Sequence, residues 1–195
     1  MEINVLLFSD FETLDAFGPV EMLGRHSECH FNFVSSKGGT IHSRQGVPVE
    51  TCSLDSVSET AVLLIPGGKG TRPLVEDRCF LERLRIAAEK SEYCLTVCTG
   101  SGLLAKTGLL DDRKATSNKR AMDWAVSVNP KVDWQYSARW VIDGKYYTSS
   151  GISAGMDMAL GFLCDQFGLD VAEESAASAE YLWNQNREED PFSVK

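Results

Sequence analysis

The sequence predicts an α/β fold with a mainly parallel central sheet, and three observations carry that reading. Short apolar runs recur at residues 3–8, 31–35, 61–65 and 93–97. Amphipathic stretches of helical period separate them, the pattern of a sheet covered by helices. The runs stop at turn residues, most clearly at Pro66-Gly67-Gly68. At 195 residues, with no internal repeat and no linker, the chain reads as one domain over 1–195.

The first run leads through Ser9-Asp10-Phe11-Glu12 into a helix that includes Val20, Glu21, Met22 and Leu23. Residues 41–52 alternate and contain Gly46 and Pro48, which predicts a hairpin or edge excursion. A helix over 79–90 places Phe80, Leu84, Ala87 and Ala88 along one face. A further helix is expected over 119–126. Asp143-Gly144 then joins a strand at Trp140-Val141-Ile142 to a returning strand at 146–149. Residues 152–167 form a buried helix ended by Gly168, and a last helix is expected over 171–184.

Hydrophobic residues make up 43% of the chain and charged residues 24%, the balance of an ordinary globular protein. The chain has no apolar run of transmembrane length and no basic-then-apolar leader at the N-terminus, so no membrane partner and a cytoplasmic location are expected. A net charge of −9 argues against nucleic acid. The local basic group of Lys114, Lys119 and Arg120 is read as solvated surface. Six cysteines lack regular spacing and form no CxxC pair, and only three histidines accompany them, which argues against a disulfide framework and a metal site. No cofactor is implied.

Cys98 carries the chemistry. It ends the strand at 93–97 and opens the small-residue turn Thr99-Gly100-Ser101-Gly102, which runs into a helix start. A nucleophile on such a strand-to-helix turn is lifted out of the sheet and aimed at the positive end of a helix, where a thiolate is favoured. The competing reading is a core cysteine beside a glycine-rich turn. In an open parallel sheet ligands bind at the carboxyl ends of strands. The loops at Pro66-Gly67-Gly68, Thr99-Gly100 and Ser149-Ser150-Gly151 should converge there, with Asp15 from the loop after the first strand.

Taken in order, Leu14-Asp15-Ala16-Phe17-Gly18-Pro19-Val20-Glu21, Ile65-Pro66-Gly67-Gly68, Val97-Cys98-Thr99-Gly100, Gly108-Leu109-Leu110 with Ala115-Thr116, and the segment from Ser149 to Asp157 resemble the ThiJ/PfpI (DJ-1) superfamily over nearly the whole length. The resemblance implies a flavodoxin-like three-layer sandwich, related to class I glutamine amidotransferase domains, and a homodimer. Asp15, Thr99, Glu180-Tyr181 and Pro191-Phe192 bring the chain nearest to the isonitrile hydratase-like branch. Protease-like members have histidine directly after the cysteine, where this chain has Thr99. Another branch has histidine at the position of Asn118. None of His26, His30 and His42 lies beyond residue 42, so a cysteine–histidine dyad is disfavoured.

The resemblance implies that Cys98, Asp15 and Thr99 are catalytic, that Gly67, Gly68 and Ile152 bind the substrate, and that no metal takes part. A carboxyl beside a thiol has its pKa raised and can relay a proton without imidazole. Cys98 then attacks the terminal carbon of an isonitrile, Asp15 serves as acid and base, and an N-substituted formamide leaves. Thr99 would hydrogen-bond the sulfur or the water, and the N–H groups of Gly68 and Thr99 would face developing negative charge. The alternatives are a helix cap for Asp15, turn glycines for Gly67 and Gly68, and helix core for Ile152. Two other functions remain open: a stress protein that responds through cysteine oxidation, and hydration of a reactive carbonyl such as glyoxal. Relatives with a DNA-binding extension are set aside because the chain ends at Lys195 and is acidic.

Overall fold

The computed structural model describes residues 1–56 and 62–193. Ala61, expected to open the third apolar strand, and Lys195 lie outside them. In chain order the elements are β1 (Glu2–Leu6), α1 (Thr13–Leu23), β2 (His30–Ser35), β3 (Gly39–His42), β4 (Pro48–Ser53), β5 (Val62–Ile65), α2 (Thr71–Leu74), α3 (Arg78–Lys90), β6 (Tyr93–Val97) and α4 (Gly100–Lys106). They continue with β7 (Lys114–Ala115), α5 (Met122–Val128), β8 (Asp133–Trp134), β9 (Trp140–Asp143), β10 (Tyr146–Ser149), α6 (Ser153–Phe167) and α7 (Leu169–Ser178).

Eight strands form one sheet in the order β3-β4-β2-β1-β5-β6-β10-β9. The six inner strands from β4 to β10 are parallel, and β3 and β9 close the two edges as antiparallel hairpin arms. The central strands β1, β5 and β6 are apolar because both faces are covered. Val62, Leu63, Leu64 and Ile65 of β5 are all buried, as are Cys94, Leu95, Thr96 and Val97 of β6. From β1 the chain steps to β2 on one side and later to β5 on the other. That reversal opens a crevice at the carboxyl ends of β1 and β5.

Helices α1, α6 and α7 form one packed group and α2, α3, α4 and α5 another. In α3 the buried face is Phe80, Leu84, Ala87 and Ala88, as its periodicity predicts. Helix α6 comes close to β6 because Gly155 offers no side chain. A Cβ there would stand 2.7 Å from Val97 Cγ1. Gly18 of α1 faces Met156 of α6 in the same manner, with a Cβ contact of 2.9 Å.

Two expectations are corrected. The final helix stops at Ser178 rather than reaching residue 184. The tail after it is held by a buried carboxylate instead: Tyr181 Oη and the Asn184 N–H each donate to Asp157 Oδ1 at 3.0 Å. Arg139 Nε donates to Asp157 Oδ2 at 2.7 Å. Side-chain anchoring of this kind has no period to read. Lys119, taken as solvated surface, is buried, and its ammonium donates to Thr116 Oγ1 at 2.7 Å. Desolvation lowers its pKa to about 8.

Gly155→Ala should destabilise the fold by about 1–3 kcal/mol through overpacking against Val97. Urea unfolding should show a lower midpoint with an unchanged slope.

Candidate active site

Cys98 follows β6 directly and sits at φ 58°, a left-handed conformation that costs a non-glycine residue roughly 1–3 kcal/mol. Its neighbours fix that conformation from both sides. The Cys98 N–H donates to the carbonyls of Ser149 and Ser150 at 3.2 and 3.1 Å. Its carbonyl accepts from Ser101 Oγ at 3.0 Å and Ser117 Oγ at 2.9 Å. The sulfur is thereby turned out of the strand, as the sequence pattern implies, yet the residue remains only 8% exposed.

Asp15 lies in the first turn of α1 and is fully buried. The helix begins at Thr13 with Glu12 at its cap position, so the helix-cap alternative for Asp15 does not hold. Oδ2 accepts from the Gly67 N–H at 3.1 Å. The Cys98 thiol and the Ile152 amide face the carboxyl, and Oδ1 makes no hydrogen bond of ordinary geometry among the described residues. Gly67 permits this approach: a Cβ there would lie 2.8 Å from Asp15 Oδ2 and 2.6 Å from the Thr99 nitrogen.

Burial raises the Asp15 pKa to about 7, against the lowering effect of the Cys98 hydrogen bond and with a small further push from Glu12. Burial, then the charge of Asp15, pushes the Cys98 thiol far above its ordinary value. The Thr99 N–H and the Asn118 side chain offset this only in part. The expectation of a standing thiolate is therefore corrected. Desolvation works against the helix start and disfavours the thiolate.

The roles given to Thr99, Gly67 and Gly68 also change. Thr99 Oγ1 does not face the sulfur. It accepts from the Gly68 N–H at 3.0 Å and from Thr71 Oγ1 at 3.2 Å. The amides of Gly67 and Gly68 are thus engaged, one by Asp15 and one by Thr99, and neither is free to meet a developing negative charge. Only the backbone N–H of Thr99 is turned toward the sulfur. Ile152, at φ 32°, stands before α6 rather than in its core. It is 39% exposed and lines the cavity.

A cavity of about 350 Å³ opens at Cys98. Thr99, Gly68, Asn118 and Ile152 line it, together with the charged Glu12, Arg44, Lys69, Arg72 and Arg120. A second cavity of about 510 Å³ shares Asn118, Arg120 and Ile152 with it and reaches Phe192. No histidine lines either one: His26 stacks on Phe167 at 4.2 Å, while His30 and His42 lie in β2 and β3. Cys94 is sealed in β6, where burial raises its pKa to about 12. No cluster of metal-ligating side chains occurs among the described residues.

Asn118 and Arg72 are the site residues that sequence reasoning did not select. Asn118 stood out only as an absent histidine. Its Oδ1 accepts from the Arg120 N–H at 3.0 Å, and its side chain hydrogen-bonds the Cys98 sulfur. Gly151 leaves room for its amide, which a Cβ would strike. Arg72 has no local signal and comes to the site through α2, a helix the sequence did not reveal.

Residues 1–164 match the model of the DJ-1/PfpI family. An isonitrile hydratase of Pseudomonas putida is 31% identical over 184 residues, covering 93% of this chain and 78% of that protein. The HTH-type transcriptional regulator GbdR of Pseudomonas aeruginosa is 24% identical over 96% of this chain, which spans about half (52%) of the regulator. A ThiJ/PfpI family protein from Pseudomonas syringae superposes with a TM-score of 0.81 at 25% identity, over 98% of this chain and 77% of that one. No helix among the described residues is long and apolar enough to cross a membrane.

A carboxyl raised to about 7 makes stability depend on pH. Between the ordinary value of 3.8 and about 7 the folded state holds a proton that the unfolded state has released, so stability falls as pH rises through that window. Asp15→Asn should therefore be more stable than wild type at pH 8, by on the order of a few kcal/mol. The gain should vanish near pH 4. Thermal unfolding across that range checks it.

Proposed function

The chain belongs to the DJ-1/PfpI family, and from that premise we propose that it adds water to a small isonitrile through a covalent adduct at Cys98. The observation that carries this reading is a buried carboxyl facing a thiol with no imidazole in the cavity. Kinship with the Pseudomonas putida isonitrile hydratase supports the choice of substrate.

Asp15, ionised, takes the thiol proton as the sulfur becomes nucleophilic. It delivers that proton to the terminal carbon while the C–S bond forms, giving the thioimidate R–N=CH–S. Asp15, ionised again, then draws a proton from water, and the hydroxyl adds to the same carbon as the nitrogen is protonated. Collapse of that adduct breaks the C–S bond, releases the N-substituted formamide and returns a proton to the sulfur. The Asn118 amide and the Thr99 N–H are the donors that accompany the sulfur while it carries charge. Thr99 contributes its backbone, and its hydroxyl holds Gly68. A cytoplasmic homodimer acting on a small molecule completes the proposal.

The oxidation-response reading needs an exposed, acidic thiol, and Cys98 is buried in surroundings that disfavour its thiolate. The carbonyl-hydration reading loses support with the lack of histidine in the cavity.

Wild-type protein should convert alkyl and cyclic isonitriles to formamides, read by proton NMR of the formyl hydrogen. Cys98→Ala should abolish turnover, and Asp15→Asn should lower kcat by roughly 10²–10⁴-fold with the fold retained. In wild type, kcat/KM should rise with pH through about 7 as Asp15 becomes able to accept the thiol proton. A full panel left unconverted would end the hydratase assignment.

A further inference from the structure

The cavity wall is cationic in a protein whose formal charge is −9. Glu12 is its one acidic lining residue, and Arg44 lies 3.5 Å from it. Lys69, Arg72 and Arg120 also line the cavity, with no carboxylate partner among the described residues. Arg72 is held by two contacts. Its guanidinium lies 3.5 Å from the centroid of the Trp124 ring and donates to Thr71 Oγ1 at 3.2 Å. Its charge also acts on Cys98.

Such a guanidinium is fixed before any ligand arrives, and it presents a planar fork suited to a carboxylate. Apolar lining is supplied by Ile152 here and by Phe192 in the adjoining cavity. A neutral substrate would leave three like charges lining one cavity uncompensated. An anionic one relieves that repulsion and is drawn toward the sulfur by it.

We infer that the substrate carries a carboxylate, which Arg72 receives with help from Lys69 and Arg120 while the reactive carbon lies on Cys98. This deepens the proposed hydration, from any small isonitrile to a carboxylated one. It makes acid-bearing isonitriles the preferred substrates, turned over faster than the simple alkyl ones.

Alkylation of Cys98 reads the charge preference without any hydratase activity. Iodoacetate and iodoacetamide transfer the same kind of carbon. The C–S bond forms, the C–I bond breaks with loss of iodide, and the thiol proton passes to Asp15. Exposed Cys52 and Cys79 in the same chain are the internal references, and peptide mass spectrometry reads each site. The iodoacetate-to-iodoacetamide rate ratio at Cys98 should exceed that at the references by roughly tenfold. It should fall severalfold in Arg72→Gln or Arg120→Gln, and toward the reference value in about 1 M salt. A ratio equal to the references, or one unchanged in both Arg72→Gln and Arg120→Gln, overturns the inference.

Calorimetric titration with N-formylglycine against N-methylformamide gives a second measurement that needs no reaction. Wild type should bind the acid at least tenfold more tightly, and Arg72→Gln should lose that margin. Equal affinities overturn the inference. An anion preference without turnover of neutral or carboxylated isonitriles would retain the anion site and remove the hydratase reading. Turnover of neutral isonitriles without an anion preference would do the reverse.

Discussion

A fully buried carboxyl group with a thiol for a neighbour is the constraint on which the rest of the site depends. Asp15 reaches Cys98 only because Gly67 leaves the space between β5 and α1 empty. Cys98 faces Asp15 only because four backbone and hydroxyl contacts hold it at a positive φ. The Thr99 hydroxyl and the amides of Gly67 and Gly68 are committed to this framework. The loop groups that stand closest to the sulfur therefore act by holding the carboxyl and thiol together.

That geometry sets the protonation states. Desolvation is the largest influence on both partners and raises both the carboxyl and the thiol pKa. The two groups titrate as a unit. An acid that shares protons near pH 7 does the work that imidazole does elsewhere. The basic opening adds a second field, in which cations from α2 and from the turns around it offset a chain that is acidic overall.

Most of the frame was legible because it rests on repetition. Apolar runs of four to six residues gave the inner strands, and a period near 3.6 gave the buried face of α3. Asp143-Gly144 gave the β9–β10 hairpin. At the site, Cys98 and Asp15 were legible from a strand-to-helix turn and from family resemblance. What failed was anything decided by tertiary contact. The thiolate expectation weighed a helix start, while the outcome follows from burial that no local pattern reports. The Thr99 N–H expected to face the sulfur does so, while the Gly68 amide and the Thr99 hydroxyl are taken up by each other and the Gly67 amide by Asp15. Arg72 was invisible because four residues of α2 carry no period, and Asn118 because an amide has no signature outside its contacts.

The measurement closest to the heart of this account is a difference infrared titration of the Asp15 carboxyl, with Asp15→Asn supplying the band assignment. The account predicts a protonated carboxyl band that persists well above the ordinary carboxylate range, disappears with a midpoint near 7, and shifts in Cys98→Ala. A carboxyl fully ionised by pH 5, with a band indifferent to the sulfur, would contradict it.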